Sequence, residues 1–331
     1  MPVTLRDIAK EVNVSHTTVS LVLNNRAHAS ISAATRARVI EAATRLGYRP
    51  NHLARALVTG RTHTAAVWTF TPSRPYYAAI IRSLQVEADR LGYRTLISQT
   101  PSALFTEEAM ETSTIEWPVD GVIAMDSHKR VEAYLGSPDV SRVPVVSMGT
   151  FVSEVVDHVA IDIGPGIVDA VNHLWAQGRR RIAYLTLAAM SDVDVAGSGS
   201  YTNAITALGG ADERILLPLH GRSVARTGIV EYFRTNGQPD AIIARSDEYA
   251  IGAFRGLRDL GLSVPGDVAI VGCGGIDDVR YLDPELSTVT VPIDEMSKLA
   301  WRFLKQRIKH PTSPLQSAKL YATLDVRGSS A

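Results

Sequence analysis

Along the first sixty residues apolar side chains recur every three or four positions; from Thr64 onward they gather into short runs instead. The first pattern predicts helices and the second a mixed α/β region. Leu5, Ile8, Ala9 and Val12 fall on one face of a helix that Thr4, with Asp7 three residues on, is placed to cap. Asn13 ends it, because Asn tolerates the left-handed backbone of a tight turn. Ser15 then caps a second helix, His16 to Asn24, with Val19, Val22 and Leu23 inward. A small Ala9 at the crossing, apolar Ile8, Val14, Val19 and Val22, and the turn at Asn13 meet the steric demands of a helix-turn-helix. Ser32 can cap a third helix through about Leu46, with Val39, Ile40, Ala43 and Leu46 inward and Gly47 as its stop.

Beyond Thr64 the runs AAVWTF, YRTLIS, DGVIAM and VPVVSM alternate with segments of helical period, which predicts a parallel sheet covered by helices. After Asp157 the alternation restarts: VAI, a helix from Gly164 to Gln177 with Ile167, Val168, Val171, Leu174 and Trp175 on one face, then RIAYLT, RILLPL, DAIIA and DVAIVG. Two doubly wound lobes of similar construction follow. At 331 residues the chain has room for both and for an all-α headpiece.

Net charge is zero, but it is unevenly spread: nine basic against three acidic residues up to Arg61, and 25 against 31 in the remainder. The basic excess at one end implies a footprint for a polyanion there. The outward residues of the second helix, His16, Thr17, Thr18, Ser20 and Leu21, can reach base edges or phosphates from a major groove, with Arg6, Lys10, Arg26, Arg36 and Arg38 around them. The single cysteine, Cys273, excludes a disulfide framework and a Cys-based zinc site, and its apolar setting suggests a buried small residue. The charged, amphipathic start is no signal peptide, and no run approaches the ~20 apolar residues of a membrane span. A cytoplasmic protein with no membrane association is expected.

Enzymatic motifs are missing. Gly272-Cys273-Gly274-Gly275 and Gly197-Ser198-Gly199 resemble dinucleotide loops, but Asp277 and Thr202 stand where the third glycine belongs, and no P-loop Lys follows. No Gly-x-Ser-x-Gly elbow or His-Glu-x-x-His run occurs either. Neither catalysis, a cofactor nor a metal is expected.

The stretches TLRDIAKEVNVSHTTVSLVLN and TRARVIEAATRLGYRPNHLARAL resemble the DNA-binding headpiece of the LacI/GalR family of transcription regulators. The resemblance implies that His16 and Thr17 are the specificity-setting pair. It places Thr4, Leu5, Ser15, Thr18, Ser20, Asn24, His28, Asn51 and Ala54 among the DNA contacts. Leu21 departs from the Arg usual there, which removes one bidentate guanine contact. Asn51 to Val58 resembles the family's hinge helix, and Leu57 its minor-groove wedge, although by itself Leu57 would pass for a core leucine. The implied organisation is a headpiece at 1–49, a hinge and linker at 50–61 and a two-lobed domain at 62–331. Two headpieces related by a two-fold axis would read a palindromic operator, so a homodimer is implied. The segment YATLDVRGSSA has no heptad run, so no tetramerising helix is expected.

The resemblance continues through VDGVIA, VPVV, GRRRIAYLT, ARSDEYAIGAFRGLRDLGLSVPGDVAIVG and LSTVTVPIDEM. It implies a fold like the periplasmic sugar-binding proteins, with the chain crossing between lobes near Ile163, Val291 and Lys319. Lobe one would comprise 62–160 and 292–318, and lobe two 163–290 and 320–327. An effector between the lobes would alter headpiece spacing and so DNA affinity. Of the family's sugar-binding positions, Tyr76 and Tyr77 keep the aromatics behind Arg74-Pro75, whereas Gly149, Gly197 and Gly274 replace Asp, Arg and Asp, and Ser246-Asp247 replaces Asn-Asp. Three glycines cannot hold hydroxyls with charged groups. The expected small-molecule effector is therefore not a typical free sugar, or the cleft is degenerate. Arg74 with Tyr76, Tyr77 and Asp126 would suit an anionic or aromatic ligand, although by itself Arg74 would more often be a solvated surface arginine. A binding protein that works without DNA is the competing reading, against which the basic headpiece argues; an activator remains open beside a repressor.

Overall fold

The computed structural model describes residues 3–23, 31–48, 56, 60–99, 118–136, 143–150, 152–188 and 197–331. Two compact units, Met1–Thr62 and His63–Ala331, make up the chain.

Three helices form the first unit: α1 (Leu5–Val12), α2 (His16–Leu23) and α3 (Ala33–Arg45). Thr4 and Asp7 form a reciprocal capping box on α1, and Asn13 closes it in left-handed backbone, φ 53°. The Ser15 hydroxyl accepts from Thr18 N at 3.0 Å, and that of Ser32 from Thr35 N at 3.2 Å, so each helix start has one of its orphan donors met by a side-chain cap. Ile8, Ala9, Val12, Val19, Val22, Val39, Ala42 and Ala43 are the buried core. Arg38 locks α3 to the turn by donating to the Val12 carbonyl at 2.8 Å. Ile40, expected inward, is half exposed, and Ala42 takes its place. The inward stripe of α3 runs 39, 42, 43, 46 at helical spacing, which leaves position 40 on the flank. Asn24 and the hinge expected at Asn51 to Val58 lie outside the described residues, except that Ala56 is helical and accepts from Gly60 N at 2.8 Å.

The second unit holds two six-stranded sheets. One has the order β11-β5-β4-β3-β1-β2, formed by β1 (Thr64–Thr69), β2 (Arg94–Gln99), β3 (Gly121–Met125), β4 (Val145–Gly149), β5 (Asp157–Asp162) and β11 (Ser317–Tyr321). All its pairings are parallel. The other has the order β12-β10-β9-β8-β6-β7, formed by β6 (Ile182–Leu187), β7 (Glu213–Leu217), β8 (Ala241–Ala244), β9 (Ala269–Gly274), β10 (Ser287–Thr290) and β12 (Thr323–Asp325). Only β12 runs antiparallel to its neighbour. Strands buried on both faces read as continuous apolar runs, as AIIA and GVIAM do.

Helices α4 (Pro75–Arg90) and α10 (Ile293–Lys309) cover one face of the first sheet, and α5 (His128–Gly136) the other. In the second lobe α6 (Gly164–Ala176) and α7 (Gly197–Ala207) lie opposite α8 (Arg222–Asn236) and α9 (Asp247–Asp259). A single apolar cluster runs from Val67, Leu84 and Trp301 of the first lobe to Ile167, Tyr184 and Val289 of the second, and includes the buried Cys273. Asp157, fully buried, accepts from Arg307 Nη2 at 2.7 Å and Nε at 2.9 Å, which pins α10 to β5.

The chain leaves the first sheet after Asp162, returns through Val291 and Pro292 into α10, and crosses a third time at Ala322. That last position corrects the expected crossing near Lys319, which lies inside β11, opposite Ala160 of β5. Lobe one accordingly extends to Tyr321. The strand-to-strand step needs one residue, Ala322, whose N–H is held by the Asp162 carbonyl at 3.0 Å. Lobe two also continues past Arg327: buried Ser329 donates its hydroxyl to the Ile270 carbonyl at 2.6 Å.

Candidate functional site

On the headpiece, the Asn13 turn and the Ser15 cap present the first turn of α2 outward. His16 and Thr17 are exposed there; Thr4 is exposed and Leu5 half-buried at the start of α1. Thr18, Ser20 and Leu21, also expected outward, are each half-buried, because Thr18 turns back on Ser15 (hydroxyls 2.8 Å apart) and positions 20 and 21 flank the buried Val19 and Val22. Of the remaining expected DNA contacts, Asn24, His28, Asn51, Ala54 and Leu57 lie outside the described residues.

In the second unit, a site assembles where the carboxyl ends of strands from both sheets meet, the usual binding position of open parallel sheets. Behind β1, Pro75 starts α4 at its first turn, and Tyr76 and Tyr77 meet edge to face, ring centroids 5.5 Å apart. Tyr77 Oη donates to Asp126 Oδ2 at 3.3 Å. Asp126, just past β3 with φ 46°, has its other oxygen held by Thr150 N at 2.9 Å and Thr150 Oγ1 at 3.3 Å. Gly149, at φ 135°, is there because a methyl group would sit 2.0 Å from Asp126 Oδ1. Burial raises the Asp126 carboxyl, against the pull of these bonds and of the Arg245 charge.

The second lobe contributes Ser246, which caps α9 by accepting from Tyr249 N at 3.3 Å, and the buried Asp247. Asp247 takes Thr288 Oγ1 at 2.5 Å and Ile276 N at 2.9 Å, so its carboxylate closes the turn after β9 onto β10. Gly274, φ 134°, leaves room for it: a Cβ there would lie 3.1 Å from Asp247 Oδ2 and 3.5 Å from Tyr76 Cδ2. Tyr76 itself packs against the apolar cluster of the second lobe and so joins the lobes. Burial pushes the Asp247 carboxyl up despite its partners, and likewise the Tyr76 and Tyr77 hydroxyls.

Tyr76, Tyr77, Asp126, Gly149, Asp247 and Gly274 are thus brought together, and Arg74 joins them as the residue before α4, its charge reaching Tyr77. Gly197 opens α7, so no side chain projects from that helix start. Four residues of the cluster were not singled out from the sequence: Thr150, His220, Arg245 and Tyr249. His220 stacks on Tyr249, centroids 5.8 Å apart, and its Nδ1 is hydrogen-bonded to the Tyr249 hydroxyl. Although His220 is exposed as a whole, desolvation of its ring against Tyr249, then the charges of Arg74 and Arg245, push the imidazole down to about 4. The signal for two of the four lay in position: His220 directly follows RILLPL and Arg245 directly follows DAIIA. Among the described residues no group of three His, Cys, Asp or Glu could hold a metal, and no helix is long and apolar enough to cross a membrane.

Residues 4–51 match the family described as bacterial regulatory proteins, lacI family, and residues 171–330 match the periplasmic binding protein-like domain. Catabolite control protein A of Staphylococcus xylosus is 30% identical over 312 residues, covering 92% of each chain. The HTH-type transcriptional repressor PurR of Edwardsiella ictaluri is 26% identical over 336 residues, 98% of this chain and 96% of that one. Among solved structures, the Lac repressor dimer bound to operator and the anti-inducer ONPF has the same fold, with TM-score 0.82 at 23% identity over 100% and 99% of the two chains. A complex of the transcriptional regulator CelR with cellobiose superimposes with TM-score 0.66 at 26% identity over 99% of both. With its helix-turn-helix headpiece and two-lobed binding domain, and with relatives aligned along nearly its whole length, the chain belongs to the LacI family of bacterial transcription regulators.

Proposed function

We propose that the protein is a cytoplasmic, homodimeric repressor that binds a palindromic operator and is controlled by a small molecule held between its two lobes. The observation that carries this reading is the first turn of α2, where His16 and Thr17 stand exposed on a helix whose start and inner face are both fixed by the headpiece. Short side chains on a rigid helix end can discriminate base edges, and Arg6 and Lys10 beside them supply phosphate contacts. Thr4, Leu5, Ser15, Thr18 and Ser20 join as flanking contacts, and Asn24, His28, Asn51, Ala54 and Leu57 as the hinge-side ones. Relatives named as repressors, and a solved neighbour titled as a dimer on operator, support the same role.

Control follows by linkage. A ligand that prefers one arrangement of the lobes shifts operator affinity by its differential binding to the two arrangements and needs no chemistry of its own. The cleft is a poor sugar clamp: each oxygen of its two carboxylates, Asp126 and Asp247, already accepts from a protein donor. We read the effector as something other than a free neutral sugar, bound and released unchanged.

Selection from a randomised pool, followed by fluorescence anisotropy at fixed salt, tests this reading. One palindrome should be enriched, and His16→Ala with Thr17→Ala should cut its preference over random DNA about 10–100-fold while nonspecific binding persists. A wild-type protein that enriches no palindrome would overturn it.

A further inference from the structure

We propose that the interlobe cleft takes a small metabolite bearing an oxyanion, a phosphate ester or a carboxylate, gripped by Arg74 and Arg245 at the open end of α4. This inference rests on the reading of the cleft as the effector site and adds the ligand's chemical class.

Three features of the cleft point the same way. First, its carboxylates are already used. Asp126 is closed in by Thr150 and Tyr77, and Asp247 by Thr288 and the backbone of Ile276, so neither offers ligand hydroxyls an oxygen that does not already accept from the protein. A carboxylate at Gly149 would collide with Asp126, and one at Gly274 is disfavoured: both positions have φ near 135°, and a Cβ would lie 2.0 Å from Asp126 Oδ1 or 3.1 Å from Asp247 Oδ2. Second, two of the cleft's donors, Arg74 and the Tyr76 hydroxyl, have no acceptor among the described residues. Arg74 is half-buried and, among the described residues, its side chain makes no hydrogen bond or ion pair. The hydroxyl of the half-buried Tyr76 has no hydrogen-bond partner among them either. α4 begins behind Arg74 with no side-chain cap and no acidic residue in its first turn; α8, which starts right after His220 and Gly221, shares both properties. Uncapped helix starts present bare N–H groups and a partial positive charge.

Third, the cationic field is shared. Arg74 and Arg245 come from different lobes, yet both charges act on Tyr77, His220 and Tyr249. Two guanidiniums whose charges both reach the first turn of an uncapped helix suit an oxyanion, since a guanidinium can donate two parallel hydrogen bonds to one. Tyr76 and Tyr77 would flank the remainder of the molecule with aromatic faces. His220, held neutral and bonded through Nδ1 to Tyr249, can offer Nε2 as an uncharged donor or acceptor, depending on its tautomer.

The test is isothermal titration of the full-length protein with matched compounds: glucose, glucose 6-phosphate and glucuronate; ribose and ribose 5-phosphate; and inorganic phosphate and sulfate. Within a set, an anionic member should bind about tenfold or more tightly than its neutral partner. Arg74→Gln and Arg245→Gln should each remove that preference while thermal melting confirms that the variants fold, and Arg74→Lys should keep part of it. Preference for the phosphate ester alone, or for the carboxylate alone, identifies the source of the anion. Neutral members that bind as well as charged ones, or no anionic binding at 10 mM (a roughly saturating level for micromolar to millimolar sites), would overturn the proposal. Operator binding measured in parallel separates the outcomes: loss of the anion preference with the palindrome intact overturns only the ligand class, whereas absence of any operator overturns the underlying reading.

Discussion

The fit of Gly149 against Asp126 can be measured as a coupling energy. In Gly149→Ala the new methyl would sit 2.0 Å from Asp126 Oδ1, and the residue would have to hold φ 135°, where side chains are strained. The backbone term costs about 1–3 kcal/mol. The collision must also swing the carboxylate away from Thr150 N or Tyr77, and a hydrogen bond to a charged group is worth about 1.5–3 kcal/mol. The single variant should therefore lose about 3–6 kcal/mol, which for a unit of this size lowers the melting temperature by about 6 °C or more. Asp126→Ala alone leaves the Thr150 N–H and the Tyr77 hydroxyl without their acceptor, a cost of about 1–3 kcal/mol. In the double variant nothing remains to collide, so only the backbone term adds to that loss, and the total should fall short of the sum of the singles by about 2 kcal/mol. Urea titrations followed by tryptophan fluorescence would report it, since Trp68 and Trp301 are buried in the same lobe. Losses that add within about 0.5 kcal/mol would refute the claim that the Asp126 carboxylate occupies the space of a side chain at 149.

Three further outcomes are expected. Asp157→Asn strands Arg307 in a largely buried site and should cost about 3–5 kcal/mol. Burial alone would raise the Asp157 carboxyl, but Arg307 and Gln316 hold it below the ordinary range. The stability it supplies is thus complete above the unfolded value of about 3.9 and is lost as pH falls through the lower folded value. Acid melting curves of the Asn variant should lack that component, and curves parallel to wild type would refute the assignment. Asn13→Val forces a β-branched residue into left-handed backbone at a cost of about 1–2 kcal/mol. Limited proteolysis should then cut faster within the first 62 residues, and an unchanged cleavage rate would count against the strained turn. By NMR the His220 imidazole should titrate near 4, and Arg74→Ala should move its midpoint upward; a midpoint near 6.5 in the wild type would contradict the desolvated, cation-flanked setting.

The headpiece was readable because its signals are local. Thr4 and Asp7 are three residues apart, Asn13 sits at the turn, and each helix carries its own stripe. Spacing was less able to choose between adjacent flanks of one helix, which is how Ile40 came to be expected inward in place of Ala42. The two-lobed architecture was also legible, since strands buried on both faces leave unbroken apolar runs. The last crossing was displaced because SAKLY and TLD are separated by a single Ala, and no turn residue marks the change of sheet. In the cleft the limit was one of distance along the chain. Gly149 could be seen to lack a carboxylate, but that Asp126 fills the same space depends on β3 pairing with β4. That His220 and Arg245 converge on residues from the other lobe depends on both sheets being in place.

Ala322 carries a consequence for how the protein can be taken apart. It separates an edge strand of one sheet from an edge strand of the other, and Gly166 of α6 is packed so closely against it that a Cβ there would lie 3.0 Å from its carbonyl oxygen. A stop codon ahead of Ser317 would strip a border from both halves in one cut, and no contiguous gene fragment encodes either half complete. Melting of one half should drag the other with it. Any hinge motion has to turn at this corner rather than part there.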